Sequence, residues 1–215
     1  MKNAIYNFRL MSSMFWLMLI VCATAFAQEP EFDFNKQDAD LILQNPDITL
    51  WHVKAMRPEA KILHIKAIDA QGNYYPVKAI QDSEQTALMD IKAFVDGKRL
   101  PVKLIVKQGD RYFPFKAITE EGELMDIKAI TPKGEKLDVK GVSKSGNIVH
   151  IRAIGKDNAF FNVVSISPKG RINDVKGIKM TKGTVEVIIN GNEIFAHVKS
   201  VTPTKQRKLS TPINY

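Results

Sequence analysis

Apolar and polar residues alternate along the chain in short blocks, and the blocks recur about every twelve positions. The best-formed copies are Asp126-Ile127-Lys128-Ala129-Ile130, Asp138-Val139-Lys140-Gly141-Val142, His150-Ile151-Arg152-Ala153-Ile154 and Asp174-Val175-Lys176-Gly177-Ile178. Aligned on the basic residue, further copies centre on Lys54, Lys66, Lys78, Lys92, Lys103, Lys116, Val164 and Lys199, with a degenerate copy near Glu186. With the basic residue as slot zero, slots minus three, minus one and plus one are apolar or small, as in Met125, Ile127, Ala129 and Leu137, Val139, Gly141. This period of two belongs to a half-buried strand and not to a helix. Slot minus two holds Asp, His, Asn or Pro beside the slot-zero Lys, so each strand presents one core face and one charged face. The rhythm predicts about thirteen strands separated by Gly-containing turns.

The turns predict how neighbouring strands align. Thr131-Pro132-Lys133-Gly134-Glu135 has the chemistry of a three-residue hairpin loop with a bulge, which sets Ala129 opposite Leu137, Lys128 opposite Asp138 and Asp126 opposite Lys140. The loop Lys144-Ser145-Gly146 places Asp138 opposite Arg152 and Lys140 opposite His150 by the same rule. Between Lys92 and Lys103 the loop shortens to Asp96-Gly97, a strong two-residue hairpin signal, and the register then sets Val95 against Lys98, Ala93 against Leu100 and Asp90 against Lys103. Opposite charges across strands are favourable and a parallel stack would place Lys over Lys, so the chain reads as an antiparallel meander. Identical loops at both ends of a strand ask the same residues to bond both sides, which requires alternating turn types or a bulge in each strand. The register carries no net stagger, so the sheet is expected to be open and curled, or split into two layers, rather than a closed barrel. A break is expected between Gln81 and Phe115, where the loop lengthens and Pro76, Pro101 and Pro114 occupy slot minus two.

The flanks differ from the repeat. Lys2 and Arg9 precede the apolar run Met14 to Ala23, and Ala25-Phe26-Ala27 is a small-x-small cleavage site, so residues 1–27 read as a secretory signal and the mature chain as starting at Gln28. A lipoprotein signal ending at Cys22 is disfavoured by the bulky Val21, and an uncleaved anchor by a run shorter than the roughly 20 apolar residues of a spanning helix. Cleavage removes Cys22, the single cysteine, and with it any thiol nucleophile or disulfide. Residues 28–47 form an acidic segment, with Glu29, Glu31, Asp33, Asp38, Asp40 and Asp47 against Lys36, in which Asp38 to Gln44 reads as one short helix. The β-repeat domain covers 48–201, and 202–215 is a basic tail with Lys205, Arg207 and Lys208. Both ends read first as solvated arms or short caps. The formal charge of +8 falls to +6 when Lys2 and Arg9 are removed.

Candidate chemistry is sparse. All four histidines, His52, His64, His150 and His197, fall in slot minus two, where they read as polar cross-strand partners, and the adjacent lysines argue against a metal site. The minus-two partners of Lys54, Lys66 and Lys78 include no Asp, so these lysines, flanked by Trp51, Tyr74 and Tyr75, form the candidate ligand-binding set for an anionic glycan, lipid headgroup or nucleic acid. A nucleophile elbow, a phosphate-cradling glycine loop and a zinc-protease helix motif are all missing from the chain, so no catalytic residue, metal ligand or cofactor is assigned. The rhythm resembles, in general style, hairpin-repeat proteins of bacterial envelopes, and the Ala25-Phe26-Ala27-Gln28 junction looks like a Gram-negative export signal. The resemblance implies export to the periplasm or beyond and carries no functional residues. The expected function is a non-enzymatic binding or scaffold module whose partner is an envelope protein, reached through its sheet face or an exposed edge strand. The alternatives are a polyanion-binding module and an enzyme with an unrecognised site.

Overall fold

The computed structural model describes residues 33–58, 62–107, 109, 111–205 and 207–208. The expected signal peptide over 1–27, with Cys22, and most of the basic tail lie outside the described residues. Phe34–Tyr215 is one compact unit. It opens with helix α1 (Phe34–Leu43), which begins four residues before the expected Asp38. Strands follow: β1 (Thr49–Met56), β2 (Leu63–Ile68), β3 (Tyr74–Gln81), β4 (Leu88–Val95), β5 (Lys98–Ile105), β6 (Phe113–Ile118), β7 (Leu124–Ile130), β8 (Lys136–Ser145), β9 (Ile148–Ile154), β10 (Phe160–Ile166), β11 (Arg171–Ile178), β12 (Val187–Ile189), β13 (Asn192–Val201) and β14 (Arg207–Lys208). All belong to one antiparallel sheet, as the alternation predicts, and the sheet curls without forming an even barrel.

The curl has a specific form. Twelve strands group into four corners, and in each corner three strands pair in a cycle with slot zero of one opposite slot minus two of the next. In the first corner (β1, β2, β3), Lys54 faces His64, Lys66 faces Pro76 and Lys78 faces His52. In the second (β4, β5, β13), Lys92 faces Pro101, Lys103 faces His197 and Lys199 faces Asp90. The third (β6, β7, β8) sets Lys116 against Asp126, Lys128 against Asp138 and Lys140 against Pro114. The fourth (β9, β10, β11) sets Arg152 against Asn162, Val164 against Asp174 and Lys176 against His150. Six further pairings, β1–β10, β2–β7, β3–β4, β5–β6, β8–β9 and β11–β13, then join each corner to the other three. Four points joined in all six ways have the connectivity of a tetrahedron. Strands β12 and β14 stand outside this scheme, pairing with β13 and β11.

This arrangement confirms some expected registers and corrects others. Ala129 opposite Leu137, Lys128 opposite Asp138, and the Val95–Lys98 and Ala93–Leu100 pairs around Asp96-Gly97 all form. Asp96 and Gly97 both have positive φ, as that two-residue turn requires. Asp126 does not face Lys140, because β7 leaves β8 after Lys128 and Asp126 lies opposite Lys116 of β6. Asp90 faces Lys199 and not Lys103 for the same reason. Asp138 faces Ile154 and Lys140 faces Arg152, because β8 runs on to Ser145 and the turn is the two-residue Gly146-Asn147, not Lys144-Ser145-Gly146; a bulge between Gly141 and Ser143 then takes back one position of the offset. No break occurs between Gln81 and Phe115, since β3 pairs with β4 and β5 with β6 across that span. Turn types need not alternate, because one side of each strand divides between two corner neighbours while the other side meets a single partner. Antiparallel pairing does not prevent Lys from facing Lys: Lys66 lies opposite Lys128, Lys78 opposite Lys92, Lys103 opposite Lys116 and Lys176 opposite Lys199. Such pairs alone are unfavourable, and the lysines relieve them by turning toward their corners.

The inward slots build one hydrophobic core with contributions from all four corners, among them Trp51, Val102, Phe115, Ile151 and Val175. Slot plus one is small almost throughout, with Ala55, Ala67, Ala79, Ala93, Ala117, Ala129 and Ala153 fully buried. Leu104 is the large exception, and two glycines make room for it. A Cβ on Gly141 or Gly177 would lie 2.9 or 2.6 Å from Leu104 Cδ1.

Candidate functional site

The first corner departs from the other three. Its slots His52, Lys54, His64, Lys66, Pro76 and Lys78 contain no acid, whereas the third corner carries Asp126 and Asp138 within its own strands. There Lys116 donates to Asp126, and Lys128 Nζ donates to Asp138 Oδ1 at 2.5 Å. In the first corner the acid arrives from α1. Asp38 Oδ2 lies 2.7 Å from Lys78 Nζ and 3.0 Å from His52 Nδ1, and Asp38 Oδ1 lies 3.3 Å from Lys66 Nζ. Lys54 Nζ donates to His64 Nδ1 at 2.9 Å, and Lys66 Nζ also donates to Gln37 Oε1 at 2.7 Å.

Of the three lysines expected to lack an acidic partner, Lys66 and Lys78 are therefore served by Asp38 while Lys54 contacts His64, and none of the three is a surface group. Lys66 and Lys78 are each 2% exposed and Lys54 is 6% exposed. Trp51 belongs to the core, with Nε1 donating to Gln81 Oε1 at 2.8 Å. Tyr74 is half-buried against the ring of Phe34, edge to face at 5.5 Å. Tyr75 donates its hydroxyl to Asp69 Oδ2 at 3.0 Å. The corner thus brings together the three candidate lysines, while Trp51 and Tyr75 serve core and turn. Asp38 was missed because the acid lies outside the repeat. The acidic run before β1 was its visible trace.

The electrostatics follow from one carboxylate serving several cations in a dry site. Burial by itself would raise the Asp38 pKa, but the His52 hydrogen bond and the Lys78 and Lys66 charges overcome it and hold the carboxyl far below its usual range. Each lysine has only a share of that carboxylate, so burial prevails for them: Lys78 is lowered to about 7, Lys54 to about 8, and Lys66 is lowered as well. Burial also lowers His52 to about 4, against the opposing hydrogen bond that it donates to Asp38, and His64 to about 3, aided by Lys54 and Lys66. Both imidazoles are neutral at pH 7. The other histidines repeat the lysine contact, at 3.1 Å between Lys103 Nζ and His197 Nδ1 and 3.4 Å between Lys176 Nζ and His150 Nδ1. No group of three or more His, Cys, Asp or Glu suited to a metal ion occurs among the described residues.

Helix α1 sits over this corner. Leu41 packs in a cluster with Leu50 and Phe94, Gln37 Nε2 donates to the Tyr74 carbonyl at 2.6 Å, and the Phe34 ring lies 5.0 Å from that of His64. Ile42 and Leu43 face outward.

Two clefts open on the charged surface. One of about 600 Å³ lies at the third corner, between Lys116, Lys128, Asp138 and Lys140 on one side and Asn192 and Glu193 on the other. Another of about 400 Å³ lies at the second corner, beside Asp90, Lys92, Arg99 and Lys199. No helix among the described residues is long and apolar enough to cross a membrane.

A family model matches residues 47–201, from just before β1 to the end of β13, and is described as a family of unknown function (DUF7486). Comparison with curated proteins and with solved structures finds no match.

Proposed function

We propose, for a chain that belongs to this family of unknown function, that it is an exported, non-enzymatic binding or scaffold module of the cell envelope. The observation that carries this reading is the repetition of one charged corner on a core-filled sheet. The inward slots are used up by packing, and what varies from corner to corner is the outward pattern of Lys, Asp, His and Pro. The third-corner cleft is the larger of the two clefts described, and its alternating lysines and aspartates offer directional ion pairs to a protein partner of mixed charge.

The chain, expressed with its first residues in a Gram-negative host, should be recovered from the periplasmic or extracellular fraction with Gln28 at its N-terminus by mass spectrometry. As bait in envelope extract it should retain a stoichiometric protein partner, and Lys140→Glu, which reverses a charge at the cleft, should release that partner while leaving the circular dichroism spectrum unchanged. Retention in the cytoplasm, or a clean monomer that captures nothing, would contradict the proposal.

A further inference from the structure

We infer that the first corner is an anion-binding site for a phosphomonoester-type oxyanion, and that the Asp38 carboxylate of α1 occupies the seat of that anion. The inference stands apart from the envelope-partner proposal and uses a different surface.

Three observations support it. The first is the charge inventory. Lys54, Lys66 and Lys78 come one from each strand of a three-strand cycle, are nearly fully buried, and have no acid in any slot of their corner. Every other corner supplies at least one acid from its own strands: Asp90 in the second, Asp126 and Asp138 in the third, Asp174 in the fourth. A corner whose only purpose was to hold its register would be expected to carry the same Lys–Asp pairs. The second observation is that the seat already holds an anion. Asp38 takes Lys66 on one carboxylate oxygen and Lys78 with His52 on the other, so the positions of bound oxyanion oxygens are occupied by oxygen atoms of the chain itself. A carboxylate has two oxygens and one charge. A phosphate group offers three free oxygens and up to two charges to three ammonium groups arranged in a cycle, a closer match in number and in charge.

The third observation is that the carboxylate is carried by a separable element. Helix α1 has ten residues, a length at which an isolated helix is marginal, and Leu41 is its one buried apolar side chain. The seat lies wholly within β1, β2 and β3, whereas Asp38 lies before the 47–201 repeat region. Undocking α1 removes Asp38, Gln37 and Phe34 from the corner together and leaves the three lysines with His52 and His64 lining an open basic depression. Asp38 is then a tethered competitor, present at a high effective concentration, and the apparent affinity for free anion is reduced by the fraction of time that α1 is docked.

The test measures binding of inorganic phosphate to the full chain and to Asp38→Ala by isothermal titration calorimetry. Asp38→Ala should bind phosphate about tenfold or more tightly than the unaltered chain, because the competitor is gone. Adding Lys66→Gln and Lys78→Gln to Asp38→Ala should abolish binding. If Asp38→Ala is unfolded in plain buffer, phosphate should restore its circular dichroism spectrum by filling the vacated seat, and chloride at equal ionic strength should not. A folded Asp38→Ala that binds no better than the unaltered chain, or an unfolded one that phosphate fails to rescue, overturns the inference. Vesicles containing phosphatidic acid identify the source of the group: retention of Asp38→Ala on them, abolished by the two lysine changes, assigns a lipid headgroup, and binding of free phosphate without retention assigns a soluble phosphomonoester.

Discussion

Burial and pairing pull in opposite directions at the lysines of the first corner, and the balance differs from residue to residue. A surface lysine keeps its ordinary pKa and contributes little through one ion pair. Lys78 and Lys54 are lowered from 10.5 to about 7 and about 8 because the desolvation cost exceeds what a shared Asp38 returns. The sign of the consequence is fixed. Between the folded and unfolded pKa values the unfolded chain binds more protons than the folded one, so stability rises with pH through that window. Lys103 of the second corner, lowered to about 8 by burial and the neighbouring Lys92, acts in the same direction. His52 and His64, lowered from 6.5 to about 4 and about 3, give stability that is lost as pH falls below 6.5. Urea unfolding should therefore show a higher midpoint at about pH 9.5 than at about pH 7, corresponding to an unfolding free energy greater by an amount of order 1 kcal/mol or more, and Lys78→Met should flatten the rise. A midpoint that is unchanged or lower at the higher pH would show that these lysines are solvated.

At the scale of the element, each strand is specified by its slots, and the slots compensate one another across corners. The usual small residue at slot plus one gives way to Leu104 on β5, and Gly141 on β8 and Gly177 on β11 vacate the space it needs. Val149 lies about as close, 3.0 Å from a Cβ at either glycine, so the added methyl has little room to escape. Gly177→Ala should cost about 1–3 kcal/mol by overpacking, and Leu104→Ala about 2–5 kcal/mol by opening a cavity. The double variant should cost less than the sum of the two, because each change relieves the other. Strictly additive costs in denaturant unfolding would mean that these side chains do not share a space. Strand existence, face polarity and the local hairpin pairs were legible in the sequence because they depend on period two and on turn chemistry within about a dozen residues. The exchange between Leu104 and two glycines was not, since it joins residues that are neighbours only after three corners have formed. The role of α1 was half legible: an acidic run and a set of lysines without aspartates were both visible, but no local rule connects Asp38 to Lys78.

At the scale of the whole molecule, the chain solves the problem of a long sheet without a barrel and without two separate layers. Lengthwise register alone suggested strands laid side by side in order, and each hairpin taken singly agrees with that arrangement. Each hairpin uses only part of a strand, however, and the remaining ladder bonds go to strands distant in sequence: β2 to β7, β1 to β10, and β11 to β13. Corners of three strands then recur four times, and the apolar faces close on a common core. Twelve near-equivalent repeats can occupy twelve equivalent strand positions, which is why a single short motif suffices and why the thirteenth, degenerate copy at β12 is left outside the scheme. Closure also explains why charge pairing along neighbouring hairpins was an incomplete guide. Lysines face lysines across four of the six connecting pairs, and the acids that serve them lie within the corners, as Asp138 does for Lys128, or come from α1, as Asp38 does for Lys66 and Lys78.

The most direct test of closure is a covalent link between strands that a meander would keep apart. Ser165 on β10 and Ser200 on β13 are fully buried, and their hydroxyl oxygens lie 2.7 Å apart although the residues are 35 positions apart in sequence. With Cys22 replaced by Ala, the pair Ser165→Cys and Ser200→Cys should oxidise to an intramolecular disulfide, detected as the loss of two mass units and of reactive thiol, and the oxidised form should melt at a higher temperature than the reduced one. Two free thiols that persist in the folded, air-oxidised protein, or a disulfide that forms only between molecules, would show that β10 and β13 do not meet and that the four corners do not close.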